Sequence, residues 1–118
     1  MRWLTSALDR IDELRREYLS RSATYWRNGQ AVSIAVTPAR SRIAGMVMGD
    51  AVYEAELRDY IVATADLVLS GSAFLPAPGD VIEDDGQRWL VLPDRDAAWS
   101  PCDPAGRFIR IHTRRAPT

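Results

Sequence analysis

The sequence predicts a mainly β fold: a small antiparallel β-barrel or sandwich with one N-terminal α-helix packed against it. Three observations carry this. Apolar residues from Leu4 to Leu19 recur at spacings of three and four, the stripe of an amphipathic helix. From Ala23 onward the period changes to two, the alternation of half-buried strands. Asn28-Gly29 and Asp85-Gly86 separate short apolar runs, as tight hairpin turns do. With 118 residues there is room for one core. The expected organisation is a single domain over 1–118, with a helix at 1–22, a barrel at 23–113 and a basic tail at 114–118.

The helix rests on Leu4, Ala7, Leu8, Ile11, Leu14, Tyr18 and Leu19, with Ser6 as N-cap. Asp12–Arg16 and Glu17–Arg21 are acid-first i,i+4 pairs on its polar face, each worth about 0.2–0.5 kcal/mol. Ala23–Arg27 and Gln30–Val36 form the first hairpin, with Val32, Ile34 and Val36 on one face, and Thr37-Pro38 is expected to end the second strand. Ile43–Met48 and Val52–Leu57 follow. In the latter, Glu54 and Glu56 alternate with Tyr53, Ala55 and Leu57. Residues 37–57 are therefore a candidate extended hairpin reaching a neighbour or a channel, with Arg42, Met46, Met48 and Asp50 as its candidate contacts. Tyr60–Ala63 reads as a strand, and Ala65–Leu69 as a helical turn or a strand end. The second tight hairpin joins the strand opened by Gly79-Asp80 to Gln87–Leu92. A loop rich in Pro and Asp fills 93–106, and Phe108–Thr113 is the last strand, with Ile109 and Ile111 opposite Arg110 and His112.

Composition excludes several function classes. One Cys and one His rule out a disulfide scaffold and a zinc finger. A Cys–His dyad would need Cys102 in its loop to meet His112 on its strand, so no catalytic residue is assigned. Asp80, Glu83, Asp84 and Asp85 lack the spacing of a calcium loop and read as turn chemistry, so no metal site is assigned either. Neither GxGxxG nor GxxxxGK[ST] occurs, so no cofactor is expected. No window approaches the roughly 18 apolar residues of a membrane span, and Met1–Ser20 carries acids where a secretory leader needs an apolar run. The expected setting is soluble and reducing, with no membrane contact.

Net charge is −1, but it is unevenly spread. Residues 58–106 hold three Arg against nine acids, whereas 107–118 hold four Arg and no acid. All fifteen basic residues are Arg, so every basic contact can be planar and bidentate. An acidic middle and a basic end suit head-to-tail association of unlike surfaces. Candidate interface residues are Trp99, Asp103, Arg107, Arg110, Arg114 and Arg115. Among the other tryptophans, Trp89 is expected in the core and Trp26 half-buried beside the first turn.

Several runs resemble a known family. They are RDYIVATADLVL at 58–69, PAPGDVI at 76–82, WLVLP at 89–93 and WSPCDPAGRFIRIHTR at 99–114, with WLTSALDR and YWRNG nearer the N-terminus. Together they are similar to small tailed-bacteriophage and prophage head–tail joining proteins, although Ser100-Pro101-Cys102 replaces an aromatic-rich approach to Asp-Pro. The resemblance implies a virion neck component and no enzyme: a stopper or head-completion protein forming a six- or twelve-fold homo-oligomeric ring. Its partners would be the portal or adaptor and the tail terminator, with contact to packaged DNA in the channel. Assembly would take place in the host cytoplasm. Two alternatives stand beside it. One is a tail-terminator or tail-completion ring. The other is a single-stranded nucleic-acid-binding barrel using Arg107, Arg110, Arg114 and Arg115 with Phe108.

Overall fold

The computed structural model describes residues 20–49, 51–92 and 98–116. Among these residues nine strands follow in chain order: β1 (Arg21–Arg27), β2 (Gln30–Met48), β3 (Ala51–Ala63), β4 (Val68–Leu69), β5 (Ser72–Ala73), β6 (Val81–Asp84), β7 (Gln87–Val91), β8 (Trp99–Pro101) and β9 (Phe108–Arg115). Six of them close into a barrel in the order β3-β2-β1-β6-β7-β9, with β9 pairing back onto β3. All these pairings are antiparallel. Strand β8 continues the β7 side of β9, opposite Ile109–Ile111, and β4 with β5 forms a separate two-stranded sheet.

The period-two pattern is what closes the barrel. On β9, Ile109, Ile111 and Thr113 are buried while the residues between them are only partly covered. β1 contributes Ala23 and Tyr25, β2 Ile34 and Val36, β3 Tyr60 and Val62, β6 Ile82, and β7 Trp89 and Val91. Leu67, beside the short 3-10 turn Thr64–Asp66, and Ala98 complete this core. Trp99 packs against it, in strand β8 rather than in a loop. The two-residue turns keep register because both central residues take positive φ, which the native right-handed strand twist favours. Asn28 and Gly29 stand at 50° and 78°, and Asp85 and Gly86 at 52° and 75°.

Four expectations need correction. The described residues contain no α-helix, and what they form is an all-β barrel with no packed helix among them. Most of the helix expected at 1–22 lies outside the described residues. Its last two positions are strand, since Arg21 and Ser22 pair with Val36 and Ala35. The reason is visible at Arg21: instead of a surface pair with Glu17 it bonds the buried Asp84 carboxylate at 2.6 Å. Thr37-Pro38 does not end β2. The strand continues to Met48, because the proline lies past the last β1 pair, where a missing N–H costs no ladder bond. Arg114 and Arg115 belong to β9 rather than to a tail, and the Ala116 amide donates to the Arg88 carbonyl at 2.8 Å. The segment at 65–69 is a 3-10 turn leading into β4, so both readings of it hold in part.

The continuation of β2 produces the main departure from a plain barrel. Pairing runs Pro38–Tyr60, then slips by one residue to Ser41–Arg58, a β-bulge that bends the ribbon. Beyond it, the β2–β3 hairpin runs past the barrel as an arm. The molecule measures 56 × 30 × 25 Å, and its radius of gyration of 15.3 Å exceeds the roughly 12–14 Å of a compact chain this size.

Trp89 is 1% exposed and is the largest side chain of the core. Replacing it with Ala should cost about 3–5 kcal/mol in urea unfolding. A loss below 1 kcal/mol would mean that the interior is not organised around it.

Candidate functional site

The arm is held where it leaves the barrel. Arg58, opposite Ser41 in the register, donates from Nε to Ser41 Oγ at 3.1 Å, which spans the ribbon just past the bulge. Its Nη1 donates to the Tyr60 hydroxyl at 3.2 Å, and its guanidinium lies 4.1 Å from the centre of the Trp89 ring. A stacked, desolvated cation of this kind gains about 2 kcal/mol from the ring quadrupole. The Tyr60 hydroxyl in turn donates to Asp84 Oδ2 at 2.7 Å, and Arg21 Nη2 donates to the same oxygen. Arg58 Nη1 stands 3.6 Å from it. The Asp84 side chain is 1% exposed, so this carboxylate is viable only because two arginines and a hydroxyl converge on it.

A second carboxylate sits at the other end of the same strand. Asp80 Oδ2 accepts from the Tyr25 hydroxyl at 2.5 Å and from the Ala77 amide at 3.0 Å, which fixes the turn leading into β6. Burial and the neighbouring carboxylates push both tyrosines well above the ordinary phenol range. Desolvation is the largest cause in each. The hydrogen bond to Asp84 raises Arg21 as well. The acidic run read as turn chemistry therefore divides: Glu83 and Asp85 are exposed, while Asp80 and Asp84 are buried hydrogen-bond acceptors.

The candidate interface residues do not form one basic surface. Arg110 lies 3.3 Å from Asp59, Arg115 lies 3.4 Å from Glu56, and Arg107 lies 3.8 Å from Asp103. A phosphate backbone would have to displace those acids. Asp103 also accepts from the Phe108 amide at 3.2 Å, so it shapes the loop before β9. Arg114 lies between Leu57 and Leu90 in the ladder, with its Nε buried. In the arm, Arg42 is exposed, and Met46 and Met48 lie in β2. Asp50 lies outside the described residues.

Sequence reasoning did not find the row Asp59–His112–Ser100. His112 Nδ1 lies 3.0 Å from Asp59 Oδ1, and His112 Nε2 lies 3.3 Å from Ser100 Oγ. The order is that of an acid–base–nucleophile relay, but the surroundings do not serve acyl transfer. Arg110 shares Asp59, Pro101 has no N–H, and the Cys102 amide is bonded to the Phe108 carbonyl. Neither of the two residues that follow Ser100 thus has a backbone N–H left to hold an oxyanion. The register could have shown the Asp59–His112 contact, since these residues are direct cross-strand partners. Among the described residues no group of three His, Cys, Asp or Glu side chains is placed to hold a metal ion. No helix among them is long and apolar enough to cross a membrane.

The described residues define a class by their architecture: a small closed β-barrel module with an anchored hairpin arm and paired surface charges. The family model described as phage head-tail joining protein matches residues 1–118, and the chain belongs to that family. No curated protein matches it. The family is structural rather than an enzyme class, and its members join head and tail, so the chain is a virion neck component that meets other head or tail proteins.

Two outcomes follow from the buried carboxylates. Asp84→Ala strips Arg21, Arg58 and Tyr60 of their shared acceptor and should cost about 2–4 kcal/mol in chemical denaturation, against about 1 kcal/mol for Tyr60→Phe. Stability should also fall in alkali. The unfolded tyrosines ionise near pH 10 while the folded ones hold their protons, so the unfolded state binds fewer protons as pH rises past that value. Tyrosinate absorbance from Tyr25 and Tyr60 should then grow in step with unfolding, and Phe at both positions should remove that part of the alkaline loss.

Proposed function

We propose that the chain works as a homo-oligomeric ring, six- or twelve-fold, stacked in the neck between the portal or adaptor of the head and the tail-side ring, where it helps to retain packaged DNA. The family match over residues 1–118 carries this reading. The physics of the fold supports it. A ring of identical subunits needs two unlike surfaces on each copy that close by rotation. Here the two ends of the barrel differ. One carries the arm, Arg21 and the Asp84 cluster. The other carries the Asn28-Gly29 turn, the Asp80 turn and the β4–β5 sheet. The extended hairpin gives each copy an element that reaches past its own barrel.

In this reading the protein performs no chemistry, and its surface arginines set orientation and pairing rather than phosphate binding. Deleting its gene should give filled or leaking heads and free tails in electron micrographs, and supplying the chain from a plasmid should restore joined particles. Particles that join tails normally and keep their genome without it would overturn the proposal. The same holds for a salt-sensitive DNA shift that is abolished by Ala at Arg110, Arg114 and Arg115 while joining is unaffected.

A further inference from the structure

Three large apolar side chains stand exposed among the described residues, and they fall in two places. Ile43, 70% exposed, lies at the root of the arm. Leu75 and Val68, 46% and 38% exposed, lie at the opposite end of the barrel, around the β4–β5 sheet. There Arg27, Thr64, Ala73, Phe74 and Leu75 line an open groove of about 550 Å³. Arg27 is fixed at its rim: Nη1 donates to the Leu75 carbonyl at 3.0 Å, and the guanidinium lies 5.3 Å from the centre of the Phe74 ring. No acidic side chain among the described residues pairs with it. Its remaining N–H donors are available to a carboxylate.

The arm offers the complementary pattern. Ile43 pairs with Glu56 and Gly45 with Glu54, so Ile43, Glu54 and Glu56 share one face of the ribbon. Glu56 is held by Arg115, whereas Glu54 is exposed and has no ion-pair partner among the described residues. One end of the molecule thus presents an isoleucine beside a carboxylate, and the other an apolar groove beside a guanidinium, neither charge meeting an opposite one among the described residues. A single copy cannot bring them together, because β2 separates them along its length: Gln30 pairs with Arg27 near the groove, and the arm starts beyond Pro38.

We propose that Ile43 of one copy seats in the Arg27–Phe74–Leu75 groove of a second copy, with Glu54 paired to Arg27 across the contact. The contact is heterologous and repeats from subunit to subunit. It rests on the ring reading and specifies which surfaces close the ring.

The test uses assembled particles. Phage complemented with the full chain carrying Ile43→Cys, Leu75→Cys and Cys102→Ser, treated with a short bis-maleimide, should give a ladder of covalent multimers of this chain on a denaturing gel. Tailed particles in which the chain stays monomeric on the gel, or in which Leu75→Cys captures a different neck protein, would overturn the contact while leaving the ring reading intact. Charge exchange decides independently, also where the cysteine pair blocks assembly. Arg27→Glu and Glu54→Arg should each lower the yield of joined particles at least tenfold, and combining them should recover most of it. Single reversals that assemble like the native chain, or a combination that recovers nothing, would refute the pairing.

Discussion

The structure depends on one strand that carries a carboxylate at each end of the barrel. Asp80, Ile82 and Asp84 all face inward, and each acid accepts a hydrogen bond from a tyrosine of a different strand. Between them the interior is apolar, filled by Trp89, Ile109 and Ile111. A buried carboxylate is tolerated only when donors surround it, so each acid dictates what stands nearby. Asp84 requires Arg21 and Tyr60, which fixes where β1 begins and where β3 enters the wall. Asp80 requires Tyr25 and the Ala77 amide, which fixes the turn before β6. In so small a barrel, two such points set register at both ends.

How much of this could be read from residues alone follows from the range of each interaction. The hairpins at Asn28-Gly29 and Asp85-Gly86 were legible because turn chemistry is local, and Ile109 and Ile111 because alternation is local as well. The barrel's burial of Trp89 was legible from its position in an apolar run. What escaped was set by partners far apart in the chain. Arg21 sits 63 residues from Asp84, and that contact turned the expected end of a helix into the start of a strand. Proline reads as a stop unless one knows that the neighbouring strand has already ended, so β2 came out far shorter than its 19 residues.

The candidate site was legible in part. The arm was anticipated from residues 37–57, and the uneven charge suggested association. The basic end, however, looked freer in sequence than it is in space: Asp59, Glu56 and Asp103 come from other segments and neutralise Arg110, Arg115 and Arg107. Exposed pairs of this kind are worth at most about 1 kcal/mol in stability. Their weight lies in geometry, because each gives a mobile arginine a direction. The Asp59–His112–Ser100 row carries a related lesson for chemistry: acyl transfer asks for preorganised donors to the charge that develops, as well as side chains in the order of a relay.

The unbroken course of β2 from barrel wall to arm has a mechanical meaning. Its first half is hydrogen-bonded to β1 over seven residue pairs, and β3 is bonded to β9 over another seven. A pull on the tip along the strands therefore loads both ladders in shear, so that many bonds must yield together, whereas a sideways peel would break them one after another. Such an element resists tension along its own length and gives way only when lifted from the side.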